Sequence, residues 1–253
     1  MPERVGAPLF LLARFAEYFD EVVAIKLAIA DGRLGAMLAV GDEAPPTDPG
    51  DLAARTSARL AMTLLAQRND IARTGTAREM DAYEQALYVM TALTDELFIL
   101  EIDWPGSDAW MDTLVEHRIF RSRNAGVRVF EMADALLAEP AVDRLQADVA
   151  AVMVLALRLG FKGRYRGEHG EPELRRLRAR LYRLVQREHD GGLQLPTFPQ
   201  AAEQTQSGGT PARLAPLTPW FVGAAIALVA YLVLSSAVWL VLIEPFRQAV
   251  GTH

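Results

Sequence analysis

The adjacent acids Asp95 and Glu96 are the residues whose types and position in this sequence most suggest chemistry. They interrupt the otherwise apolar stretch LYVMTALTDELFILEIDW, residues 87–104. Burying an ionised carboxylate is costly unless the carboxylate is paired or hydrogen-bonded. One function for such acids is hydrolysis, with Asp95, Glu96, Glu101 and Asp103 around a polar pocket that holds a positioned water or metal ion.

Motifs for other common enzyme chemistries are missing from the sequence. It has no G-x-S-x-G, no P-loop, no H-E-x-x-H, and no G-x-G-x-x-G followed by an acid. The pairs Glu116–His117 and Glu168–His169 are adjacent, whereas a helical di-metal site uses Glu-x-x-His. The chain has no cysteine, which excludes disulfides and thiolate metal sites and fits a reducing compartment. We therefore expect no cofactor, no metal and no catalytic residue.

Charge is distributed unevenly along the 253 residues. Residues 1–118 carry 20 acidic and 10 basic side chains, whereas residues 119–190 carry 10 acidic and 14 basic ones. A nucleic-acid-binding protein needs a strongly basic surface, so this pattern argues against that class. Two faces of opposite charge fit a protein that docks different partners, although ordinary solvated helix surfaces explain them equally well.

Apolar side chains recur at helical spacing, and no segment shows a strand pattern. Thr76 and Glu79 form a T-x-x-E capping box, Gly160 is a C-terminal cap, and Pro172 lies in a first helical turn. The sequence therefore predicts an all-α domain of seven helices. Their predicted ranges are 8–30, 50–73, 77–101, a short helix that Ser107 caps and that holds Trp110, Leu114 and Phe120, 127–138, 141–159 and 172–188.

The C-terminal part of the sequence predicts a membrane anchor. Residues 191–219 are rich in Gly, Pro, Gln and Thr, as flexible linkers are. The 24 residues from Trp220 to Ile243 carry no charge, and as a helix they would span about 36 Å, enough to cross the ~30 Å hydrocarbon core. Residues 244–253 form a short tail.

The topology that this order predicts is a tail anchor. Because no signal peptide precedes the span, we expect residues 1–190 in the cytoplasm and His253 in the periplasm. Gly223 and Ala227 form a small-x-x-x-small pair that would let two spans associate closely.

Two segments carry a resemblance to a known family. One is YVMTALTDELFILEIDWPGSDAW, residues 88–110, and the other is VMVLALRLGFKGRYRG, residues 152–167. In this order, with one C-terminal span, the chain resembles the DotU/TssL (IcmH) family of inner-membrane components of bacterial type VI secretion systems, which has relatives in type IVB systems. The resemblance covers residues 8–190 and the span.

The resemblance implies a non-enzymatic scaffold with a hook-shaped cytoplasmic domain of two small helical bundles. It implies homodimers or higher oligomers, a TssM/IcmF-like membrane partner, and recruitment of TssK- and TssE-like baseplate proteins. Some members carry a C-terminal peptidoglycan-binding domain, which the tail of this chain is too short to form. The alternatives are a type IVB component, an unrelated tail-anchored hydrolase and an adaptor from another pathway.

Asp95 and Glu96 then acquire two interpretations. On a helix they flank the stripe of Tyr83, Leu87, Met90 and Leu97, and would border a groove close to the GFKGRYRG segment, residues 160–167, with Arg164 and Arg166 as bidentate partners. The acids either form internal salt bridges or dock a partner together with Arg164, Tyr165 and Arg166. We expect a division of roles, with Asp95 structural and Glu96 reaching the partner.

Overall fold

The computed structural model describes residues 9–167 and 169–188, which form eight α-helices and no strand. A π-helical turn, Leu97–Glu101, continues the fourth helix, and 3₁₀ turns occupy Trp110–Asp112 and Gly163–Tyr165. The all-α prediction is therefore confirmed for these residues. The helices are α1 Phe10–Ala30, α2 Leu34–Leu38, α3 Pro49–Thr74, α4 Ala77–Glu96, α5 Val115–Phe120, α6 Ala125–Ala138, α7 Arg144–Arg158 and α8 Gly170–Glu188.

Side-chain caps determine where several helices begin. The predicted capping box of Thr76 and Glu79 is present at the start of α4. Asp143 and Gln146 form a second capping box, so α7 begins three residues later than predicted. Helix α2 was not predicted, because its five residues are too few to show a helical period.

The short helix after residue 107 differs from its prediction. Ser107 does not cap it: the segment first makes the 3₁₀ turn, and α5 begins only at Val115. The reason is tertiary, because the first N–H groups of α5 donate to a carboxylate of α4 rather than to a local side chain.

Helix α4 forms the centre of the described domain. Every residue from Ala86 to Glu96 is buried, and the helix packs against α1, α3, α5, α6 and α7. The Tyr18 hydroxyl of α1 and the Thr94 hydroxyl of α4 are hydrogen-bonded at 2.6 Å. Helix α8 packs on α7 through a stripe of leucines. A carboxylate near the end of α4 is consequently surrounded by protein and must find its hydrogen-bond donors there.

The predicted linker, span and tail, residues 191–253, lie outside the described residues, as do Gly223 and Ala227. Across residues 9–167 and 169–188, no helix has both the length and the apolar character that crossing a bilayer requires. The division into two small bundles stays a prediction.

Candidate functional site

Asp95 holds the start of α5. Its Oδ1 accepts hydrogen bonds from the Trp110 indole N–H and the Val115 backbone N–H, both at 2.9 Å, and its Oδ2 accepts from the Glu116 backbone N–H at 2.9 Å. The side chain is only 5% exposed. Burial raises the pKa of Asp95 to about 6, against the opposing effect of these three donors. Asp95 therefore acts as a cap for a helix that lies 20 residues further along the chain.

Glu96 holds the GFKGRYRG segment. Its Oε1 accepts from the backbone N–H of Lys162 and its Oε2 from that of Gly163, both at 2.9 Å. The Arg166 guanidinium donates to the same carboxylate. Glu96 is 8% exposed, and both of its carboxylate oxygens accept hydrogen bonds from within the domain. The docking role predicted for Glu96 stays a prediction, and it would require a partner to compete with these donors.

A third buried carboxylate, Glu116, was missed by the sequence analysis. It is 3% exposed and accepts hydrogen bonds from the Tyr88 and Ser122 hydroxyls at 2.8 Å and from the Asn124 and Ala125 backbone N–H groups at 2.9 and 3.1 Å. Glu116 thereby caps the start of α6. This role was hard to predict, because Glu116 precedes His117 in a segment with no distinctive sequence pattern.

The three carboxylates form a closed circuit of contacts, which we call the carboxylate circuit. Asp95 binds the start of α5, and Glu116 on α5 binds the start of α6. Helix α6 in turn packs against the GFKGRYRG segment, where Gly163 lies so close that a Cβ on it would be 2.6 Å from the Gly126 carbonyl oxygen. Glu96 returns from that segment to α4. The adjacent acids therefore fix two separate segments around one end of α4.

The predicted arginine partners behave differently from one another. Arg166 pairs with Glu96 and, at 3.3 Å, with Glu101. The pairing predicted for Arg164 is wrong, since Arg164 binds Asp134 at 3.2 Å and lies over the rings of Phe130 and Tyr165. Asp95 has no arginine partner among the described residues, because backbone and indole N–H groups occupy its oxygens.

Five residues form an exposed or half-buried area beside the circuit, which we call the loop surface. Leu100 is 52% exposed and adjoins Glu101, the second partner of Arg166. The Arg164 guanidinium donates to the Tyr165 hydroxyl at 3.1 Å, which raises the pKa of Arg164. Both arginines are thus ordered cations. The loop surface consists of Leu100, Glu101, Arg164, Tyr165 and Arg166.

The structure gives no support to a four-acid hydrolytic centre. Asp95 and Glu96 are directed to different segments, while Glu101 and Asp103 are exposed. Within the described residues no group of three or more His, Asp or Glu side chains is placed to hold a metal ion. An open groove of about 410 Å³ does lie between α4 and α6, lined by Tyr88, Phe120 and Arg128 among others, but none of these four acids lines it.

The match to a known protein family covers every element of the carboxylate circuit, from α4 to the GFKGRYRG segment. A family model described as type VI secretion system protein DotU matches residues 35–239, four-fifths of the chain. The chain belongs to the DotU family. This confirms the predicted family, and the family description names type VI secretion rather than type IVB.

A solved structure is also similar to this DotU-family chain. The crystal structure of SciP/TssL of the type VI secretion system from enteroaggregative Escherichia coli 042 is 24% identical, and the alignment covers 66% of this chain and 88% of that one. Its TM-score of 0.44 is too low for its geometry to be transferred here. No curated protein matches the chain significantly. The hydrolase and adaptor alternatives both placed the chain outside the DotU family. The family match excludes that placement.

Proposed function

We propose that this DotU-family protein is a non-enzymatic scaffold of the type VI secretion membrane complex. The observation that carries the proposal is the DotU match, which extends from the helical domain described above into the uncharged segment 220–243. A scaffold of this kind links a membrane component to proteins on the cytoplasmic side. The proposed partners are a TssM/IcmF-like membrane protein and TssK- and TssE-like baseplate proteins.

The proposed location is the bacterial inner membrane. Trp220–Ile243 would cross it once, with the helical domain in the cytoplasm and the tail in the periplasm. The proposed oligomer would form in part through the spans, where Gly223 and Ala227 allow close approach of two helices.

The proposed baseplate-docking site is the loop surface. Arg164 and Arg166 are exposed on either side of Tyr165, and Arg166 binds Glu101, which follows the exposed Leu100 in the sequence. Arginines next to an aromatic and an aliphatic side chain are typical of the residues that dominate protein interfaces. A partner that presents carboxylates around a small apolar contact would fit this combination.

In this proposal Asp95 and Glu96 act as positioning residues. Glu96 fixes the backbone at Lys162 and Gly163, and so sets where Arg164 and Arg166 are presented. Asp95 acts one step further away, through α5 and Glu116. Substituting either acid would weaken partner binding by displacing the segment, because both carboxylates already accept hydrogen bonds from within the domain.

The test is a pull-down of TssK- and TssE-like proteins by the full chain. The variants Leu100→Ser, Arg164→Gln and Arg166→Gln are compared with Arg33→Gln, which changes an exposed arginine in the turn after α1. We expect reduced capture by the first three, unchanged capture by the control, and intact helicity in all four. Full capture by all three loop-surface variants would contradict docking at this surface, and absence of capture by the unsubstituted chain would contradict the proposed partners.

A further inference from the structure

Helix α8 presents one face made almost wholly of arginine. Its buried stripe consists of Leu174, Leu177, Leu181, Leu184 and Val185, and these side chains fix the rotation of the helix against the domain. At 100° per residue, the exposed side chains opposite that stripe occupy a continuous arc. The arc, which we call the arginine face, consists of Arg175, Arg176, Ala179, Arg180, Arg183, Gln186 and Arg187.

The acids of α8 leave most of the arginine face without an ion pair. Glu171 and Glu173 lie in the first turn and pair with Arg178 at 2.8 Å and Arg176 at 2.5 Å. No acid occurs between residues 175 and 187. Among the described residues, no carboxylate forms an ion pair with the exposed residues Arg175, Arg180, Arg183 or Arg187. The Nε–H of Arg183 donates to the Ala179 carbonyl of the same helix at 3.2 Å.

The composition of this face indicates a polyanionic surface as its ligand. Guanidinium groups bind phosphate in a bidentate manner and are weakly hydrated, so a row of them fits a surface of repeated phosphates. The arginine face contains no large apolar side chain, because the leucines of α8 lie on the opposite side of the helix and pack on the domain. Contact would therefore be electrostatic, without insertion into hydrocarbon.

The order of the chain makes a membrane the nearest such surface. Helix α8 is the last described helix, and the 31 residues from 189 to 219 separate it from Trp220. Even fully extended, a segment of that length reaches at most about 110 Å. A domain held within that distance of a bilayer meets its headgroups at a high effective concentration.

We propose that the arginine face of α8 binds the anionic headgroup surface of the membrane in which the chain is anchored. The inference rests on the proposed membrane anchoring and adds an orientation, with α8 towards the bilayer. Each basic residue near an anionic leaflet strengthens binding by roughly fivefold, so loss of three arginines would weaken the contact by about a hundredfold. The contact would also be screened by salt, because the Debye length falls to about 3 Å at 1 M.

The experiment uses the full chain in lipid vesicles. Because the chain has no cysteine, Ala179→Cys introduces one labelling position within the arginine face. A donor dye at that position is paired with acceptor dyes on lipid headgroups, in vesicles of phosphatidylcholine alone or with about one-third phosphatidylglycerol. Met62→Cys, an exposed position on α3, provides a second labelling site. We expect energy transfer from position 179 to rise in the anionic vesicles, to fall at high salt, and to exceed transfer from position 62.

The charge variants complete the test. In the Ala179→Cys background, the triple change Arg175→Gln, Arg180→Gln and Arg183→Gln should abolish the increase in transfer. The matched triple change Lys26→Gln, Arg33→Gln and Arg123→Gln removes the same charge from exposed positions outside α8 and should preserve it. Thermal unfolding verifies that both variants fold.

Each remaining outcome separates the inference from the anchoring on which it rests. Failure of the chain to float with vesicles of either composition would overturn the anchoring. Stable incorporation with equal transfer in neutral and anionic vesicles would overturn only the arginine-face contact. Energy transfer that changes with the protein-to-lipid ratio and not with lipid charge would also overturn the arginine-face contact with lipid. It would favour contact of α8 with the acidic N-terminal part, residues 1–118, of a second copy of the chain.

Discussion

The backbone N–H of Glu116 donates to Oδ2 of Asp95 at 2.9 Å, so one buried carboxylate positions another. Glu116 then accepts from the N–H groups that begin α6. A substitution at Asp95 therefore affects α6, which Asp95 does not bind directly. This chain of dependence makes the carboxylate circuit testable one residue at a time.

The first prediction concerns both acids of α4. Asp95→Asn and Glu96→Gln each place an amide where one backbone N–H requires an acceptor, leaving a buried donor unsatisfied. We expect each change to lower the free energy of unfolding by about 1–3 kcal/mol, measured by chemical denaturation. The control is Glu101→Gln, because Glu101 binds the same Arg166 from an exposed position and should change stability by less than about 0.5 kcal/mol. Unchanged stability in both test variants would show that the circuit does not hold the fold.

The second prediction is a pH dependence caused by Asp95. Burial, assisted by the nearby negative charge of Glu116, raises its pKa from 3.8 to about 6. The folded chain therefore binds more protons than the unfolded chain between these values, so this stabilisation is complete at acid pH and is lost as pH rises through 6. Between pH 7 and pH 5 the unsubstituted chain should gain about 1.4 kcal/mol relative to Asp95→Asn.

That difference is measured by denaturant unfolding of both proteins across the pH range. Taking the difference between the two proteins cancels the titration of every other carboxylate. Parallel pH profiles would contradict a raised pKa at Asp95.

The third prediction concerns the contact between α6 and the GFKGRYRG segment. Gly163 has φ of +43°, and an added Cβ would lie 2.6 Å from the Gly126 carbonyl oxygen and 2.8 Å from a Phe130 ring carbon. Gly163→Ala should therefore cost about 1 kcal/mol for the left-handed backbone and a further ~1–3 kcal/mol for overpacking. Gly41→Ala is the matched control, because Gly41 has φ of +60° with open space around it. Equal melting temperatures for the two variants would contradict the close approach.

The fourth prediction concerns topology. A reporter that is active only in the periplasm should be active when fused after His253 and inactive when fused before Met1. The physical reason is the uncharged stretch of 24 residues, which is long enough to cross the bilayer once. Activity of the fusion at Met1 would reverse the proposed orientation.

The fifth prediction concerns association of the spans. Gly223→Leu and Ala227→Leu should each reduce self-association of the isolated segment 220–243 in a membrane two-hybrid assay, because a large side chain separates two closely packed helices. Leu232→Ala, which leaves the small-x-x-x-small pair intact, is the control. Association unaffected by either leucine would assign oligomer formation to the helical domain.

The sequence by itself was sufficient for the helical composition and for several helix boundaries. These depend on local signals, such as the apolar period of α8 and the capping box of Thr76 and Glu79, whose partners lie within a few residues. The capping box of Asp143 and Gln146 is equally local, since its two residues lie three positions apart in the sequence. The DotU resemblance likewise rested on contiguous segments.

The partners of the buried acids were decided only by the tertiary structure. Asp95 and Glu96 were identified from sequence because a charge in an apolar run is conspicuous, and arginines were predicted as partners because they are the usual counterions. Arg166 fulfils that prediction for Glu96, but most of the hydrogen bonds to the two acids come from the backbone N–H groups of Val115, Glu116, Lys162 and Gly163. Every residue except proline carries that donor, so side-chain identity does not mark which backbone N–H groups a distant carboxylate will bind. Their positions are fixed only once α5, α6 and the GFKGRYRG segment have packed around the end of α4.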